Sequence, residues 1–501
     1  MRIWTGPPGG YCWTMMQARI LCRTQAQIQT QIQAHLIGIK DRRQAAMNNP
    51  DMFSFDSLKA RGLFDKRLPR YTSYPPAPAF TDQIGAQFQA EALAALDPDA
   101  PISVYLHIPF CERLCWFCAC RTQGVRSIAP VLHYLDTLEA ELALIAQHIP
   151  ARLKVRQMHW GGGTPTILPP ELIARLSRAL QRVFVIDADT EFSVEIDPTL
   201  VDAAKVAALK AAGMTRASIG VQDFAAHVQA CIGRLQSYAQ TRDAVLMLRE
   251  AGIKSLNVDL VYGLPFQSLS GFADTLEQVN ALAPDRVALF GYAHVPHMAK
   301  RQKLIPEAAL PDDRARFALF DKATEVFTQA GMMPIGIDHF AHPDDSMAVA
   351  AAAGKLRRNF QGYTVDGCET LLGLGASSIS RFADGFVQNS SETGSYTRHI
   401  REGGLAGARG YHLSAQDRLR GRIIEMLMCD NAIDFAELNL SPAQRQLLAP
   451  ALQALRTECR GMIQETPSRL TLDPQVRPIL RRLAHFFDTF CVENVGYSRV
   501  S

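Results

Sequence analysis

Four cysteines, Cys111, Cys115, Cys118 and Cys120, stand together in the stretch PFCERLCWFCACRTQ of a chain that holds eleven. The first three form C-x3-C-x2-C, which brings three thiolates onto one tight loop. Soft sulfur ligands select zinc, copper(I) or iron–sulfur clusters. A structural zinc site takes two ligand pairs a dozen or more residues apart, and no second pair follows here. An iron–sulfur cluster held by three thiolates fits better, because one iron stays open for a substrate. Zinc and a redox thiol relay are the remaining readings. Cys120 is the surplus: a fourth ligand, an inert neighbour or a reactive thiol.

Other chemistry-bearing residues recur along the chain. In HWGGGTPT (159–166), Gly161, Gly162 and Gly163 carry no Cβ, so backbone N–H and C=O groups can approach a ligand closely. Glu195 in VEID, Gln222 in GVQDF and Asp259 in NVDLVYGLP fall at successive strand positions. One acid in a strand reads as an edge residue; three polar residues at successive strands of a barrel read as a site.

The elements that must position these residues follow a rhythm from residue 100. The β-branched runs ISVYLHI, RQMHWGG, EFSVEID, RASIGVQ, SLNVDLVYG and RVALFGYAH alternate with amphipathic stretches of 3.6 period. Pro169 and Pro170 stand where a first turn would start, and Gly213 and Gly252 where C-caps belong. Six β/α units in series imply a parallel sheet with helices outside, hence an α/β fold with a partial (β/α)6 TIM-type barrel. The cysteine loop then lies at the C-terminal end of the first strand, where such barrels place their chemistry. After about residue 310 the rhythm fades into stretches that read as a mostly helical C-terminal domain covering the site. The expected division is an N-terminal extension (1–50), a segment close to the substrate (51–99), the barrel (100–310) and the C-terminal domain (311–501). The extension is Gln-rich and is expected to be disordered or a non-native start, with Met47 or Met52 as the natural beginning; a short amphipathic helix is the other reading.

Composition narrows the class. A hydrophobic share of 48% with 20% charged residues is that of a globular protein. The net charge of +3 gives no reason to expect nucleic acid or an anionic membrane. No apolar run is long enough to span a bilayer, and no secretory signal is evident, so the expected compartment is cytoplasmic. An odd cysteine count in such a chain argues against a disulfide framework. Cys231, Cys368, Cys429, Cys459 and Cys491 read as small buried hydrophobes.

The C-x3-C-x2-C loop resembles the signature of the radical S-adenosylmethionine enzymes, with the aromatic Phe117 before the third cysteine typical of them. The longer set RYTSYPPAPAF, VYLHIPFCERLCWFCAC, HWGGGTPT, GVQDF, GLPFQ, GYAHVP, GIDHFAHPDD, RRNFQGYT and LLGLGASSIS is similar to the oxygen-independent coproporphyrinogen III oxidase family, from about residue 52 onward. The resemblance implies a [4Fe–4S] cluster on Cys111, Cys115 and Cys118. It implies two molecules of S-adenosylmethionine, with Tyr105, Phe117, Gly162, Gly163, Thr164, Glu195, Gln222, Arg234, Asp259, Ala293 and Ile379 at matching binding positions. Gln361 matches a residue near the second molecule and the substrate. Cys120 is implied to be a non-ligand with a part in turnover. Gly233 departs from the family, which often has Asn there.

The implied reaction removes carbon dioxide from two propionates of coproporphyrinogen III, leaving vinyl groups. Its implied partners are that substrate and an electron donor such as flavodoxin or ferredoxin, with the chain acting as a monomer. The substrate's four carboxylates call for cations, and Arg70, Arg121, Arg357 and Arg358 are the candidates. A heme chaperone of the same superfamily lacks both the C-x-C ending and the RYTSYP segment, which are present here. A ring-opening relative is the other alternative.

Overall fold

A computed structural model describes residues 53–62, 64 and 68–490. The expectations for residues 1–50 and for Cys491 lie outside the described residues.

Six parallel strands follow one another: β1 (Ile102–Ile108), β2 (Val155–Gly162), β3 (Glu191–Ile196), β4 (Arg216–Gln222), β5 (Ser255–Tyr262) and β6 (Arg286–Gly291). Five longer helices return the chain between them: α1 (Ala129–His148), α2 (Pro170–Val183), α3 (Ala203–Ala211), α4 (Tyr238–Glu250) and α5 (Leu269–Ala281), with a short helical turn, Ala226–Cys231, ahead of α4. Each helix has local reasons to start and stop. Pro170 opens α2 within its first turn. Ser237 and Gln240 close a reciprocal capping box on α4, and Gly252 behind it takes φ +78°. Asp202 caps α3, and Gly213 behind it takes φ +101°.

The pleat sorts each strand's residues by partner. On β3, Phe192, Val194 and Ile196 are buried against helices, while Glu191, Ser193 and Glu195 alternate with them on the other face. On β5, Leu256, Val258 and Leu260 are buried, and Ser255, Asn257 and Asp259 take the opposite face. Burying one such aliphatic side chain contributes about 1.5–3 kcal/mol, so the register is held by the outer layer. The inner layer is thereby free to be polar, and the barrel interior holds a site rather than a packed core.

Helix α6 (Asp313–Gln329) leads into further strands: β7 (Met333–Ile335), β8 (His339–Ala341), β9 (Leu371–Leu374), β10 (Ile379–Phe382), β11 (Gly385–Asn389) and β12 (Gly407–His412). All twelve form one sheet in the order β12-β11-β10-β9-β1-β2-β3-β4-β5-β6-β8-β7. β9 joins β1 in parallel, and the outer pairs are antiparallel. Residues of β1, β3, β5, β8 and β10 line one cavity, so the sheet curls around it as a partial barrel. Helical character dominates only from α7 (Ala415–Asp430), through α8 (Pro442–Glu458) to α9 (Leu480–His485). These helices share a second core with the N-terminal segment: Phe55, Leu58, Tyr71 and Tyr74 pack with Ile423, Leu427, Leu455 and Leu480.

Candidate functional site

The cysteine loop leaves β1 and is pinned at both ends. Phe110–Cys111 pairs in parallel with Gln123–Gly124, and Val125 N–H donates to the Cys111 carbonyl at 3.0 Å. Its middle is held by distant segments. Trp116 N–H donates to the Ile232 carbonyl at 2.8 Å. The buried Gln302 donates from Nε2 to the Phe117 carbonyl at 2.8 Å and to the Ala293 carbonyl at 3.1 Å. Its Oε1 accepts from Val295 N–H at 2.6 Å. One amide thus joins the cysteine loop to the exit of β6. Nothing in the sequence marks Gln302, which sits in the unremarkable stretch KRQKLIP.

Each of the three spaced cysteines has a donor at its sulfur. Thr164 Oγ1 donates to Cys111 Sγ at 3.5 Å, Arg234 Nη1 to Cys115 Sγ at 3.5 Å, and Cys120 N–H to Cys118 Sγ at 3.4 Å. Burial pushes the Cys111 thiol up to about 11, whereas hydrogen bonding from Cys120 pulls Cys118 below the ordinary thiol range. Arg234 is itself buried; Nη2 donates to the Gly220 carbonyl at 2.8 Å, Nη1 stands 3.6 Å from Asp197, and Nε has no partner among the described residues. Gly233 has a structural reason. It takes φ +66°, and a Cβ there would meet the Trp116 indole at 2.8 Å. An Asn tolerates that φ but would collide with this tryptophan.

The glycine run is a packing cradle. A Cβ on Gly161 would lie 2.6 Å from Glu195 Oε1, one on Gly162 2.5 Å from the His107 ring, and one on Gly163 2.6 Å from the Phe110 carbonyl. Its N–H groups are engaged: Gly162 donates to Glu195 Oε2 at 3.1 Å, Gly163 to the Ile108 carbonyl at 2.8 Å, and Thr164 to the Phe110 carbonyl at 2.9 Å. These three N–H groups hold Glu195 and the base of the cysteine loop.

The central cavity measures about 490 Å³. Tyr105, Gly162, Glu195, Asp259, Gln361 and Ile379 line it, together with Cys120. Tyr105 stacks on His159 at 5.8 Å between centroids, and its hydroxyl meets His107 Nδ1 at 3.0 Å. Asp259 accepts from Ser218 Oγ at 3.0 Å and Asn257 Nδ2 at 2.7 Å. Burial first, and the negative Glu195 second, raise its carboxyl to about 6. Gln361 sits on the turn of the Arg357–Asn359/Gly362–Thr364 hairpin. Phe117, Gly163, Thr164, Gln222, Arg234 and Ala293 do not line this cavity. Gln222 ends β4 with φ +70° beside Gly220 and Arg234; the others surround the cysteine loop.

Of the openings that flank the cavity, two lie at opposite ends of the strands. At the C-terminal ends of the strands, one of about 450 Å³ is lined by Cys118, Cys120, Arg121, Lys300 and Arg301. At the N-terminal ends, a groove of about 1280 Å³ shares Gln157 and Glu191 with the central cavity. Of the arginine candidates, Arg121 lines both the central cavity and the upper opening. Arg70 donates to the Gly291 carbonyl at 2.9 Å, and Arg358 to the carbonyls of Tyr71 and Arg70, both at 3.0 Å. Cys368, Cys429 and Cys459 are buried as expected, and Cys231 is half-buried.

The donor set suits the group that the resemblance implies: three thiols on a pinned loop, each with a hydrogen-bond donor, one of them from a buried guanidinium with an orphaned nitrogen, beside a polar cavity. Residues 105–279 match the model of the radical SAM superfamily, and the fold and site place the chain in that superfamily. An oxygen-independent coproporphyrinogen III oxidase of Cereibacter sphaeroides is 52% identical over 89% of this chain and 99% of that protein. The Escherichia coli oxidase of the same name is 38% identical over 84% of this chain and 93% of its own. The solved structure of coproporphyrinogen III oxidase from Escherichia coli, described as a radical SAM enzyme, superposes with a TM-score of 0.81 at 37% identity, covering 85% of this chain and all of that one. The chain belongs to the oxygen-independent coproporphyrinogen III oxidase family.

Proposed function

We propose that the protein carries out the oxygen-independent oxidative decarboxylation of two propionates of coproporphyrinogen III to vinyl groups, giving protoporphyrinogen IX. The carrying observation is the 52% identity that runs through nearly the whole of a relative bearing that name. In this reading Cys111, Cys115 and Cys118 hold a [4Fe–4S] cluster. Tyr105, Phe117, Gly162, Gly163, Thr164, Glu195, Gln222, Arg234, Asp259, Ala293 and Ile379 hold S-adenosylmethionine, of which two molecules bind. When bound, those groups would supply the one-electron chemistry that breaks an unactivated carbon–hydrogen bond.

The chain's own residues position, shield and neutralise. Gln302 fixes the cysteine loop against the Ala293 segment, so the two halves of the site keep one spacing. Glu195 and Asp259 set two carboxylates in the cavity to face a cationic ligand. Gln361 stands at the substrate side on its hairpin, and Arg121 meets a propionate at the upper rim. Arg70 ties the N-terminal segment to the end of β6, so that the described residues of segment 51–99 and of the part from 311 onward cover the barrel of 100–310 and keep water out. No helix among the described residues is long and apolar enough to cross a membrane. We place the protein in the cytoplasm, as a monomer reduced by a flavodoxin or ferredoxin.

The deciding experiment is an anaerobic assay of reconstituted protein with coproporphyrinogen III, S-adenosylmethionine and dithionite. Protoporphyrinogen with methionine and 5′-deoxyadenosine is the expected outcome. Cleavage of S-adenosylmethionine without decarboxylation would point to the chaperone or ring-opening relatives instead.

A further inference from the structure

We propose that the surface turn 298–304 is the landing site of an acidic one-electron carrier protein. The inference rests on the function proposed above, which requires an electron from outside the chain. Met298 and Leu304 are 67% and 58% exposed, among the most exposed large apolar side chains described. Lys300 and Lys303, between them, are exposed too. The two remaining polar residues of the turn point the other way. Gln302 is 1% exposed and donates to the Phe117 carbonyl at 2.8 Å; Arg301 donates to Thr122 Oγ1 at 2.8 Å. One face of the turn grips the cysteine loop, and the other offers two cations framed by two apolar side chains.

Charge selects the occupant. Lys300 and Lys303 on the outer face, with Arg121 and Arg301 lining the opening beneath, outnumber the flanking carboxylates Glu307 and Glu392. A partner seated here stands over an opening lined by Cys118 and Cys120. A small negatively charged carrier would be steered to this face by its field, and a contact of a few apolar side chains suits a short-lived redox encounter. The step needs no bond chemistry at the turn: the carrier is oxidised by one electron, which enters the centre held by the cysteine loop.

The test uses reconstituted full-length protein and purified flavodoxin as the probe. Charge reversal in K303E, at the exposed lysine that does not line the opening, should weaken flavodoxin binding by about fivefold and flatten its salt dependence. Flavodoxin-driven turnover should fall alongside, while dithionite-driven turnover stays at the wild-type rate. Unchanged binding and salt dependence would overturn the proposal. Equal losses with both reductants would overturn it as well, since the turn would then only hold the loop. M298S/L304S, which leaves the charges in place, should weaken binding without altering the salt slope; full affinity in that variant would remove the apolar contact. A wild-type protein that binds flavodoxin but fails with dithionite would defeat the proposed activity and leave the landing site standing.

Discussion

At the C-terminal ends of the strands, Arg121, Lys300 and Arg301 line the opening against the single carboxylate Glu392. At the opposite end of the same barrel, Glu91, Asp97, Asp189, Glu191, Glu369 and Asp384 line the groove against Arg156 alone. The lower groove is the larger, about 1280 Å³ against about 450 Å³, so size alone would make it the door for a tetrapyrrole. Charge says otherwise. A tetracarboxylate approaching six carboxylates meets a repulsive field focused by the groove walls, and the upper rim attracts it. In this fold, sign of charge rather than volume assigns the working end, and the cysteine loop stands at that end.

The largest effect should come from dividing the cysteines at the working end. Cys118→Ser should lose most of the iron of a cluster that holds about four atoms per chain, and with it all turnover. Cys120→Ser should keep its iron and lose turnover only in part, because its backbone N–H still reaches Cys118 Sγ. Iron and sulfide analysis of both variants decides this. Equal iron loss in the two would make Cys120 a ligand and undo the division.

Next in size is the pH dependence of the central cavity. Asp259 has its carboxyl raised to about 6 in the ligand-free protein. A cationic ligand favours the ionised form, so its affinity should be full above pH 6. Below that, it should fall by up to about tenfold per pH unit, as a proton must be displaced first. Titrating S-adenosylmethionine into cluster-loaded protein between pH 5 and 8 checks the sign. Asp259→Asn should bind weakly at every pH and lose this slope. An unaltered slope in that variant would move the titration to another group.

The same two ends explain what was legible in the sequence. The six strands of the barrel and the five longer helices between them stand close to their expected places, because each strand is two-sided and each helix amphipathic, so burial periodicity writes itself into the chain. Glu195 and Asp259 are visible for that reason: they fall on the inner face of strands whose outer faces are apolar. The strands from β7 to β12 were not visible. They are three to six residues long and largely antiparallel, in a region expected to be mostly helical, and β9 and β12 carry glycines that dilute any alternation. Gln302 and Arg301 left no trace either, since their importance lies in partners some 180 residues away. The glycine run was recognised as a place of close approach. His107, Phe110 and Glu195 come within Cβ distance of it, from segments that no local pattern announces. The lower groove's acids were equally invisible as a group, because they come from segments that only the fold brings together.

The smallest expected effect is the most discriminating between the two ends. Glu91→Lys combined with Glu369→Lys changes two exposed carboxylates of the lower groove. If substrate enters and is read from above, kcat/KM for coproporphyrinogen III should stay within about twofold of wild type, since solvent and salt screen exposed charges that touch neither the substrate nor its route. Arg121→Ala at the upper rim should raise KM by about tenfold, the loss of one charge-assisted hydrogen bond, with kcat little changed. The pair is read at low and at physiological ionic strength. A marked rise in kcat/KM for the lower-groove variant at low salt, with no change for Arg121→Ala, would reverse the assignment of the ends: replacing two of the six carboxylates by cations would then have opened the route that the tetra-anion uses.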